Sequence, residues 1–489
     1  MAADDQSLAF YDMTRLVAVR LSPIATGIDR IDQRFARAVF EAYGERCFPV
    51  VRVGSKALLA DRGLSRALIL GLERTWFEGR PRDLRIARAL EVAGLTQRID
   101  GPLTQGLHNR KGRCGGPAAL RLSYLALTAL NGLCRAGLFV GTRARNALRQ
   151  NARTTIPSLL SDGASGLYVV CSHGGIARCD GLLPHLTKVC RLKAVAYIHD
   201  ILPIDYPEYF PPGKPKGFAR FLSELVRAGA AFVVNSRDTA RRLEGHARRM
   251  KWSIGEVSVV HPGIETRPAV ARNGAGASPG PNGGAPYFVV VGTIEPRKNH
   301  LLLLQVWRDL VRAGTRPMPH LHIVGRRGWE NENVLDLLDR CEAIRPYVIE
   351  HDELADPELQ RLVIGARAVL FPSFAEGFGL PLLEALHLGT PVIASDLAVF
   401  REVAGKAPRY VSPLDGLGWR RAIMECLSET QPPALDSAGI LAGGADWETR
   451  SREFLDKLRA LAGGCLWQAP ELRLERKMPT AACLGAKLR

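Results

Sequence analysis

The second half of the chain contains the segment Ala368-Val-Leu-Phe-Pro-Ser-Phe-Ala-Glu376-Gly-Phe-Gly-Leu-Pro-Leu-Leu-Glu384-Ala-Leu386. Its apolar start predicts a buried strand, and Pro381 favours the first turn of a helix that Gly389 would end. A strand, a glycine-rich turn and a helix N-terminus form an anion site, because free N–H groups and the helix dipole face the same point. Glu376 lies in the turn and Glu384 in the helix. Two carboxylates beside an anion site favour a ligand with both phosphates and hydroxyls, such as a sugar nucleotide.

Apolar runs of strand length recur around this segment and alternate with helical patterns. They predict strands at 287–292, 320–325, 347–350, 368–371 and 391–394 and a helix at 301–311. Such alternation is typical of a doubly wound parallel sheet, which we expect over residues 287–445. Residues 271–286 are dominated by Gly, Pro, Ser and Asn and predict a flexible linker.

The first half shows the same alternation less regularly and predicts a second α/β domain over residues 1–270. Its predicted strands are 15–19, 166–171, 194–198, 231–234 and 257–260. Polar residues and glycines follow these strands, at the sheet edge where ligands of such folds bind. Residues 446–462 predict a capped amphipathic helix that we expect to return to the first domain, and 463–489 predict a loose tail.

Composition and cysteine pattern exclude several classes of protein. The chain has 489 residues, and its ten cysteines form no C-x-x-C pair, which argues against a disulfide framework or a zinc site. It has no apolar run long enough for a membrane-spanning helix and no signal-peptide pattern at its N-terminus. We therefore expect a cytoplasmic protein, peripheral on the inner face of the plasma membrane.

The net positive charge of the chain lies in its first half. Residues 1–270 contain 40 Lys and Arg against 23 Asp and Glu, whereas residues 271–489 contain 26 of each. The segment 101–161 has no acidic residue and carries an apolar run. It is compatible with a surface for anionic lipid or polyphosphate and equally with a solvated basic face. Nucleic acid is disfavoured because no binding motif accompanies the charge.

Several motifs together resemble the retaining glycosyltransferases of family 4. They are Glu376-x7-Glu384, Gly292-Thr-Ile-Glu-Pro-Arg-Lys-Asn299, Thr26-Gly-Ile-Asp-Arg30, Ile198-His-Asp200 and the helix near Trp447. The resemblance covers most of the chain and implies the GT-B fold, in which two Rossmann-like domains face each other across a cleft. The sequence around Arg297, Glu295-Pro-Arg-Lys-Asn299, resembles that of the bacterial mannosyltransferases of exopolysaccharide and O-antigen synthesis.

The resemblance also implies roles for individual residues. Arg297 and Lys298 would hold the diphosphate, Glu376 would contact the transferred sugar, and His199 would lie beside the reacting sugar. Glu384 would accept hydrogen bonds from the ribose. The remaining implied donor-binding residues are Gly292, Thr293, Gly377, Phe378, Gly379 and Leu380, and the acceptor-side residues are Gly27, Asp29, His173 and Asp200. Thr293 departs from the family, because many members carry a basic residue there.

The implied reaction is the transfer of a hexose with retained configuration, by front-face displacement and without a metal or other cofactor. The expected partners are a nucleotide sugar, with GDP-mannose favoured, a polyprenyl-diphosphate-linked glycan, and an anionic membrane surface. An epimerase or phosphorylase of the same fold, or a non-catalytic sugar-nucleotide-binding subunit, stays open as an alternative. A glycosidase acid/base pair is disfavoured because hydrolysis of glycosides needs no diphosphate site.

Overall fold

A computed structural model describes residues 7–22, 24–53, 56–78, 80, 156–160, 166–172, 181–265, 284–352, 354–429 and 446–462. All statements below concern these residues. The basic segment 101–161 lies almost entirely outside them, as do His173, most of the predicted linker and the predicted tail.

The first domain is built on a sheet in the order β3-β2-β1-β4-β5-β6-β7. All neighbours are parallel except β2 and β3, which pair antiparallel at the edge. The strands are β1 (Leu8–Asp12), β2 (Cys47–Val53), β3 (Lys56–Leu59), β4 (Gly166–Val170), β5 (Leu192–Ile198), β6 (Ala231–Val234) and β7 (Val257–Val259).

Helices cover both faces of this sheet and bury its apolar side chains. They are α1 (Thr14–Ala18), α2 (Gly27–Tyr43), α3 (Arg62–Phe77), α4 (Ile156–Leu159), α5 (Leu182–Lys188), α6 (Leu202–Asp205), α7 (Lys214–Arg227) and α8 (Arg237–Arg249). Two clusters of buried side chains lie on the two faces, as expected for a doubly wound sheet.

The second domain repeats this architecture with six parallel strands in the order β10-β9-β8-β11-β12-β13. The strands are β8 (Tyr287–Val291), β9 (His320–Val324), β10 (Val348–His351), β11 (Ala368–Phe371), β12 (Val392–Ser395) and β13 (Arg409–Val411). The helices are α9 (His300–Arg312), α10 (Glu332–Arg340), α11 (Asp356–Gly365), α12 (Leu380–His387), α13 (Ala398–Ala404) and α14 (Gly416–Ser428). The strand order reverses between β8 and β11, the switch point at which such sheets bind ligands.

The predicted α/β fold class is confirmed, but the strand predicted at residues 15–19 is wrong. That segment forms helix α1, and the strand lies earlier, at β1. Asp12 ends the strand and accepts a hydrogen bond from Thr14 N at 3.0 Å, which starts the helix. Leu16 and Val17 are buried in the core from this helix, so a short apolar run did not distinguish a strand from a buried helix.

A last helix, α15 (Trp447–Ala462), packs on the first domain rather than on the second. Phe454 stacks on Phe35 of α2 with ring centroids 4.2 Å apart, and it also contacts Tyr197 of β5 edge-on. Gly263 lies so close to Trp447 that a Cβ there would be 2.6 Å from the Trp447 Cα. The aromatic burial fixes α15 on the face of the first sheet.

The carboxyl edges of the two sheets face each other and are in direct contact. Arg30 of α2 forms an ion pair with Asp356 of α11 at 2.6 Å. Trp329 Nε1 donates a hydrogen bond to Tyr209 O at 3.0 Å, and the Tyr209 ring stacks on Phe374. The residues that follow β5 and those that follow β11 therefore meet in one cleft.

Candidate active site

The loop after β8 brings two cations to the switch point of the second sheet. Residues 296–298 form a single 3₁₀ turn, and Asn299 adopts a left-handed conformation with φ 55°. The Asn299 side chain donates to Pro372 O at 3.1 Å and to Pro413 O at 3.0 Å. These bonds fasten the loop to the ends of β11 and β13, so Arg297 and Lys298 are held in place by their neighbours.

Gly292 leaves room for one of these cations. Its φ is 143°, and a Cβ at this position would lie 3.1 Å from the Lys298 Cε. Gly325 is also required by close approach, because a Cβ there would be 2.1 Å from the Gly292 carbonyl oxygen. The two glycines allow the loops after β8 and β9 to lie against each other beneath the lysine.

Both cations form ion pairs with Glu376. Lys298 Nζ lies 2.7 Å from Glu376 Oε1, and Arg297 Nη1 lies 2.7 Å from Oε2. Ser373 Oγ donates to Oε1 at 2.7 Å. Burial by itself would raise the pKa of Glu376, but the charges of Arg297 and Lys298 and the hydrogen bonds outweigh burial and lower the pKa to about 2. The carboxylate is therefore ionised at any physiological pH.

Arg297 is further oriented by two acceptors that the sequence reasoning missed. It donates to Ala375 O at 2.7 Å, and its Nη2 lies 2.5 Å from Glu295 Oε1. Burial opposes the charge of Arg297, yet the carboxylates of Glu376 and Glu295 raise its pKa. Glu295 stands within the quoted motif, so a search for acceptors beside the two cations would have found it.

The glycine-rich turn lies directly against the first domain. A Cβ on Gly377 would be 2.6 Å from the His199 carbonyl oxygen and 2.9 Å from the Asp200 Cβ. Only glycine fits this contact, so the turn that carries Glu376 touches the end of β5. The structure thus brings the predicted residues His199 and Asp200 next to the Glu376 turn.

His199 is neutral in this position. Its Nε2 lies 2.6 Å from Cys171 O, and because a carbonyl only accepts, Nε2 carries the proton. Burial lowers the pKa of His199 to about 4, an effect that exceeds the opposing one of this hydrogen bond. The ring can contact a sugar, but it does not supply positive charge for a diphosphate near neutral pH.

The Asp200 side chain lies against the Glu376 turn, where a Cβ on Gly377 would be 3.4 Å from its Oδ2. Its Oδ1 accepts a hydrogen bond from Leu202 N at 3.0 Å. Burial raises the pKa of Asp200, against the lowering effect of Arg297.

Two helix N-termini meet on the other side of the turn. Gly379, with φ 101°, begins α12, and a Cβ there would be 2.7 Å from a Phe400 ring carbon. Gly27 begins α2, and a Cβ on it would lie 3.6 Å from the Leu380 Cδ1. The N-termini of both helices therefore lie beside the same part of the cleft, where the dipole of α12 favours a negatively charged ligand.

Glu384 lies one helical turn inside α12 and contacts the first domain. Arg30 Nη1 lies 3.5 Å from Glu384 Oε1, while its Nη2 pairs with Asp356. Burial raises the pKa of Glu384, as do Asp356 and Glu265, and Arg30 opposes them. The proximity of Arg30 to this glutamate could not be foreseen from local patterns, because 354 positions separate the two residues.

The carboxylate of Asp29 is already engaged within the first domain. Its Oδ1 lies 2.6 Å from Arg15 Nε, and its Oδ2 accepts from Thr26 N at 2.8 Å in a capping box. Asp29 is buried, so it shapes the loop that carries Gly27.

The other predicted site residues occupy the walls of the cleft. Thr293 lies against the loop after β9, where a Cβ on Gly328 would be 2.7 Å from its methyl carbon. Phe378 is buried, with its ring 5.7 Å from that of His261. Trp329 lies between the domains, where its indole donates the hydrogen bond to Tyr209 O. His173 lies outside the described residues.

Together these residues can bind a diphosphate and orient a sugar. Arg297, Lys298 and the start of α12 supply positive charge at one point, and Glu376 supplies two ionised oxygens beside them. Glu384 supplies acceptors farther along the helix. The positive charge thus lies beside Glu376 and at the start of the helix that carries Glu384. A ligand with a diphosphate in the middle and a hydroxylated group at each end matches that arrangement.

Comparison with known proteins agrees with the motifs. Residues 276–411, less than half of the chain, match the family described as "Glycosyl transferases group 1". With two Rossmann-like domains facing across a cleft, the chain has the GT-B arrangement that the motifs predicted. The resemblance to glycosyltransferases is confirmed.

Several of the similar curated proteins are named as mannosyltransferases. The chain is 32% identical over 246 residues to "Serotype-specific mannosyltransferase WbdA" of Escherichia coli, a match that covers 47% of this chain and 30% of the relative. It is 29% identical to "O-antigen chain mannosyltransferase B" of Escherichia coli, over 57% of this chain and 72% of that protein. The chain thus spans less than a third of the length of the WbdA protein that it matches.

Several solved structures align over part of the chain. An Anabaena protein, HepE, crystallised with UDP, aligns with a TM-score of 0.46 and 17% identity, over 62% of this chain and 82% of that one. TarM aligns with a TM-score of 0.43 and 13% identity, over 63% of this chain and 58% of that one. Across the described ranges, none of the helices combines the length and apolar character needed to span a membrane.

Proposed function

We propose that the protein is a retaining hexosyltransferase that transfers mannose from GDP-mannose to a hydroxyl of a lipid-linked glycan. The observation that supports the proposal is the pair of salt bridges to Glu376 at the switch point. Arg297 Nη1 and Lys298 Nζ each lie 2.7 Å from one of its carboxylate oxygens. Buried cations and a carboxylate at this place fit the two sides of a sugar–diphosphate bond. The mannose donor is supported by the printed names of the relatives.

The ion pairs suggest how a donor would enter. A diphosphate at the start of α12 would draw Lys298 and Arg297 toward its oxygens, and Glu376 would then accept hydrogen bonds from the sugar hydroxyls. The cations would exchange the carboxylate for diphosphate oxygens, and the carboxylate would exchange the cations for sugar hydroxyls. Neither the cations nor the carboxylate would then be buried without a partner, with or without the donor.

The proposed chemical step is a front-face displacement. The bond between the anomeric carbon and the β-phosphate oxygen breaks, and the acceptor oxygen bonds to the same face of that carbon. The departing phosphate oxygen takes the acceptor hydroxyl proton. Arg297, Lys298 and the α12 N-terminus stabilise the charge that develops on the diphosphate, so the proposal requires no metal.

The acceptor and the membrane belong to the first domain in this proposal. The charge excess of residues 1–270 favours a diphosphate-linked acceptor and an anionic membrane surface. A vesicle flotation assay tests this part. Binding to anionic vesicles at low salt, with loss at high salt and none to neutral vesicles, is expected; absence of binding to anionic vesicles at low salt would refute it.

A transfer assay tests the activity. Purified protein is incubated with GDP-mannose, and in parallel with UDP-, ADP- and dTDP-hexoses, together with a synthetic polyprenyl-diphosphate glycan. Mass spectrometry is expected to show one added hexose from GDP-mannose, and NMR an α linkage as in the donor. Glu376→Ala should lower product formation by about 10²- to 10³-fold, whereas Glu41→Ala, which removes a glutamate from a surface ion pair with Arg37, should leave it unchanged.

The alternatives give distinct results in the same assay. Conversion of the donor without acceptor would indicate an epimerase, and release of a hexose 1-phosphate from glycan and inorganic phosphate would indicate a phosphorylase. Nucleotide-sugar binding by thermal shift without any turnover would indicate a binding subunit. A product with another donor alone would refute the mannose assignment.

A further inference from the structure

We infer that Glu402 is a positioning residue that couples closure of the cleft to the placement of the Glu376 turn, an inference that rests on the proposed function. Glu402 lies on α13 of the second domain. Its two oxygens accept hydrogen bonds from Arg237 N at 2.7 Å and Asp238 N at 3.0 Å. These N–H groups belong to the first turn of α8 in the first domain, so one domain caps a helix of the other.

The cap is shared between the domains and is largely shielded from water. Ser236 accepts the third amide of the turn, Thr239 N, at 3.0 Å from within the first domain. The Glu402 side chain is 11% exposed, and His261 Nε2 lies 3.8 Å from its Oε1. A carboxylate at a helix N-terminus is favoured by both the free amides and the helix dipole. Separation of the domains exchanges these contacts for water.

The same helix turn of the first domain holds the catalytic turn of the second. Ser236 Oγ donates to Gly377 O at 3.0 Å, next in sequence to Glu376. Thr239 Oγ1 lies 3.5 Å from the same carbonyl oxygen. The start of α8 therefore contacts Glu402 on one side and the Glu376 turn on the other.

Helix α13 completes the connection within the second domain. Phe400, two residues before Glu402, packs so tightly on Gly379 that a Cβ there would be 2.7 Å from its ring. Phe378 in turn packs against His261 of the first domain. The cap, helix α13 and the turn form a closed ring of contacts, so loss of the cap shifts the turn relative to His199.

The test compares Glu402→Ala with Asp61→Ala. Asp61 caps α3 through Leu64 N at 2.7 Å, so its loss removes a helix cap within one domain. We expect Glu402→Ala to lower kcat by about tenfold to a hundredfold, because a displaced catalytic group loses its geometry. The KM for the donor should change less. Asp61→Ala should lower Tm similarly and leave kcat unchanged, and Glu402→Gln, which retains one acceptor oxygen, should restore part of the activity.

Hydrogen exchange provides a readout that does not depend on turnover. In Glu402→Ala, exchange should increase both in the peptide containing Arg237 and Asp238 and in the peptide containing Glu376 and Gly377; in Asp61→Ala, neither should change. An increase confined to the first peptide, or equal kcat losses in both variants, would overturn the coupling. If the wild type transfers no sugar, the proposed function fails, and the exchange pattern alone still decides whether Glu402 acts on the turn.

Discussion

The turn around Glu376 and the helix face around Glu384 give the same side chain opposite surroundings. Glu376 has two cations within 2.7 Å, and its pKa falls to about 2. Glu384 has one cation at 3.5 Å and two further carboxylates nearby, and its pKa is raised. The same side chain therefore behaves differently because its neighbours differ: the carboxylate of Glu376 is fixed by two close cations, and that of Glu384 has one longer ion pair.

Loss of Glu376 should have the strongest consequence, a large fall in kcat. Glu376→Ala should lower kcat by about 10²- to 10³-fold, a loss typical of one removed transition-state contact. Glu384→Ala should change the donor KM more than kcat. Steady-state kinetics of both variants measures the contrast. Equal kcat losses in the two variants would contradict the separation of roles.

The two carboxylates should also influence stability with opposite pH dependence. Glu376, whose folded pKa is lowered from 4.5 to about 2, stabilises the fold above pH 4.5 and loses this contribution as pH falls toward 2. The pKa difference corresponds to about 3 kcal/mol. Glu384, whose pKa is raised, instead costs stability as pH rises above its unfolded value.

Urea unfolding of the wild type, Glu376→Gln and Glu384→Gln between pH 2 and 7 measures both contributions. The stability difference between wild type and Glu376→Gln should shrink as the solution is acidified. For Glu384→Gln the difference should change with pH in the opposite sense. Parallel pH profiles for the two variants would show that their surroundings are alike.

A smaller effect is expected on nucleotide affinity. Glu384→Ala should weaken GDP binding by about tenfold, which corresponds to the loss of one hydrogen bond to a charged acceptor. Isothermal titration calorimetry with GDP measures it without any acceptor. The matched Glu41→Ala variant should bind GDP as the wild type does. Unchanged affinity in Glu384→Ala would remove the ribose role from this residue.

The smallest expected effect is that of the cation beside Glu384. Arg30→Met should weaken GDP binding by about two- to fivefold, because the pair at 3.5 Å is long and shared with Asp356. Arg37→Met on the same helix, whose ion pairs stay within the first domain, should have no effect on GDP binding. An effect of Arg30→Met larger than that of Glu384→Ala would reverse the assignment.

The second sheet could be predicted from the sequence closely, because buried parallel strands give continuous apolar runs. Strand β11 was predicted with the bounds that the structure gives it. Strand β2 was missed because its short apolar run contains Pro49 and ends with Arg52, both unusual in a buried strand. The structure buries that arginine against Asp12, a long-range ion pair that local periodicity does not reveal.

The site shows the same division between local and long-range signals. The proximity of Arg297, Lys298 and Glu376 was predictable because both loops leave the same edge of one sheet. Arg30 and Glu402 were not foreseen, because their contacts cross from one domain to the other. Such contacts depend on the relative orientation of two domains, about which periodicity and motifs carry no information.

The return of α15 to the first sheet has a consequence for synthesis on the ribosome. The second domain is an insertion within the first, since strands β1–β7 and the helix that carries Phe454 lie on either side of it in the chain. Phe35 and Tyr197 lack their covering ring until Phe454 has been translated. The inserted domain therefore completes its core first, and the domain that begins the chain is the last to close.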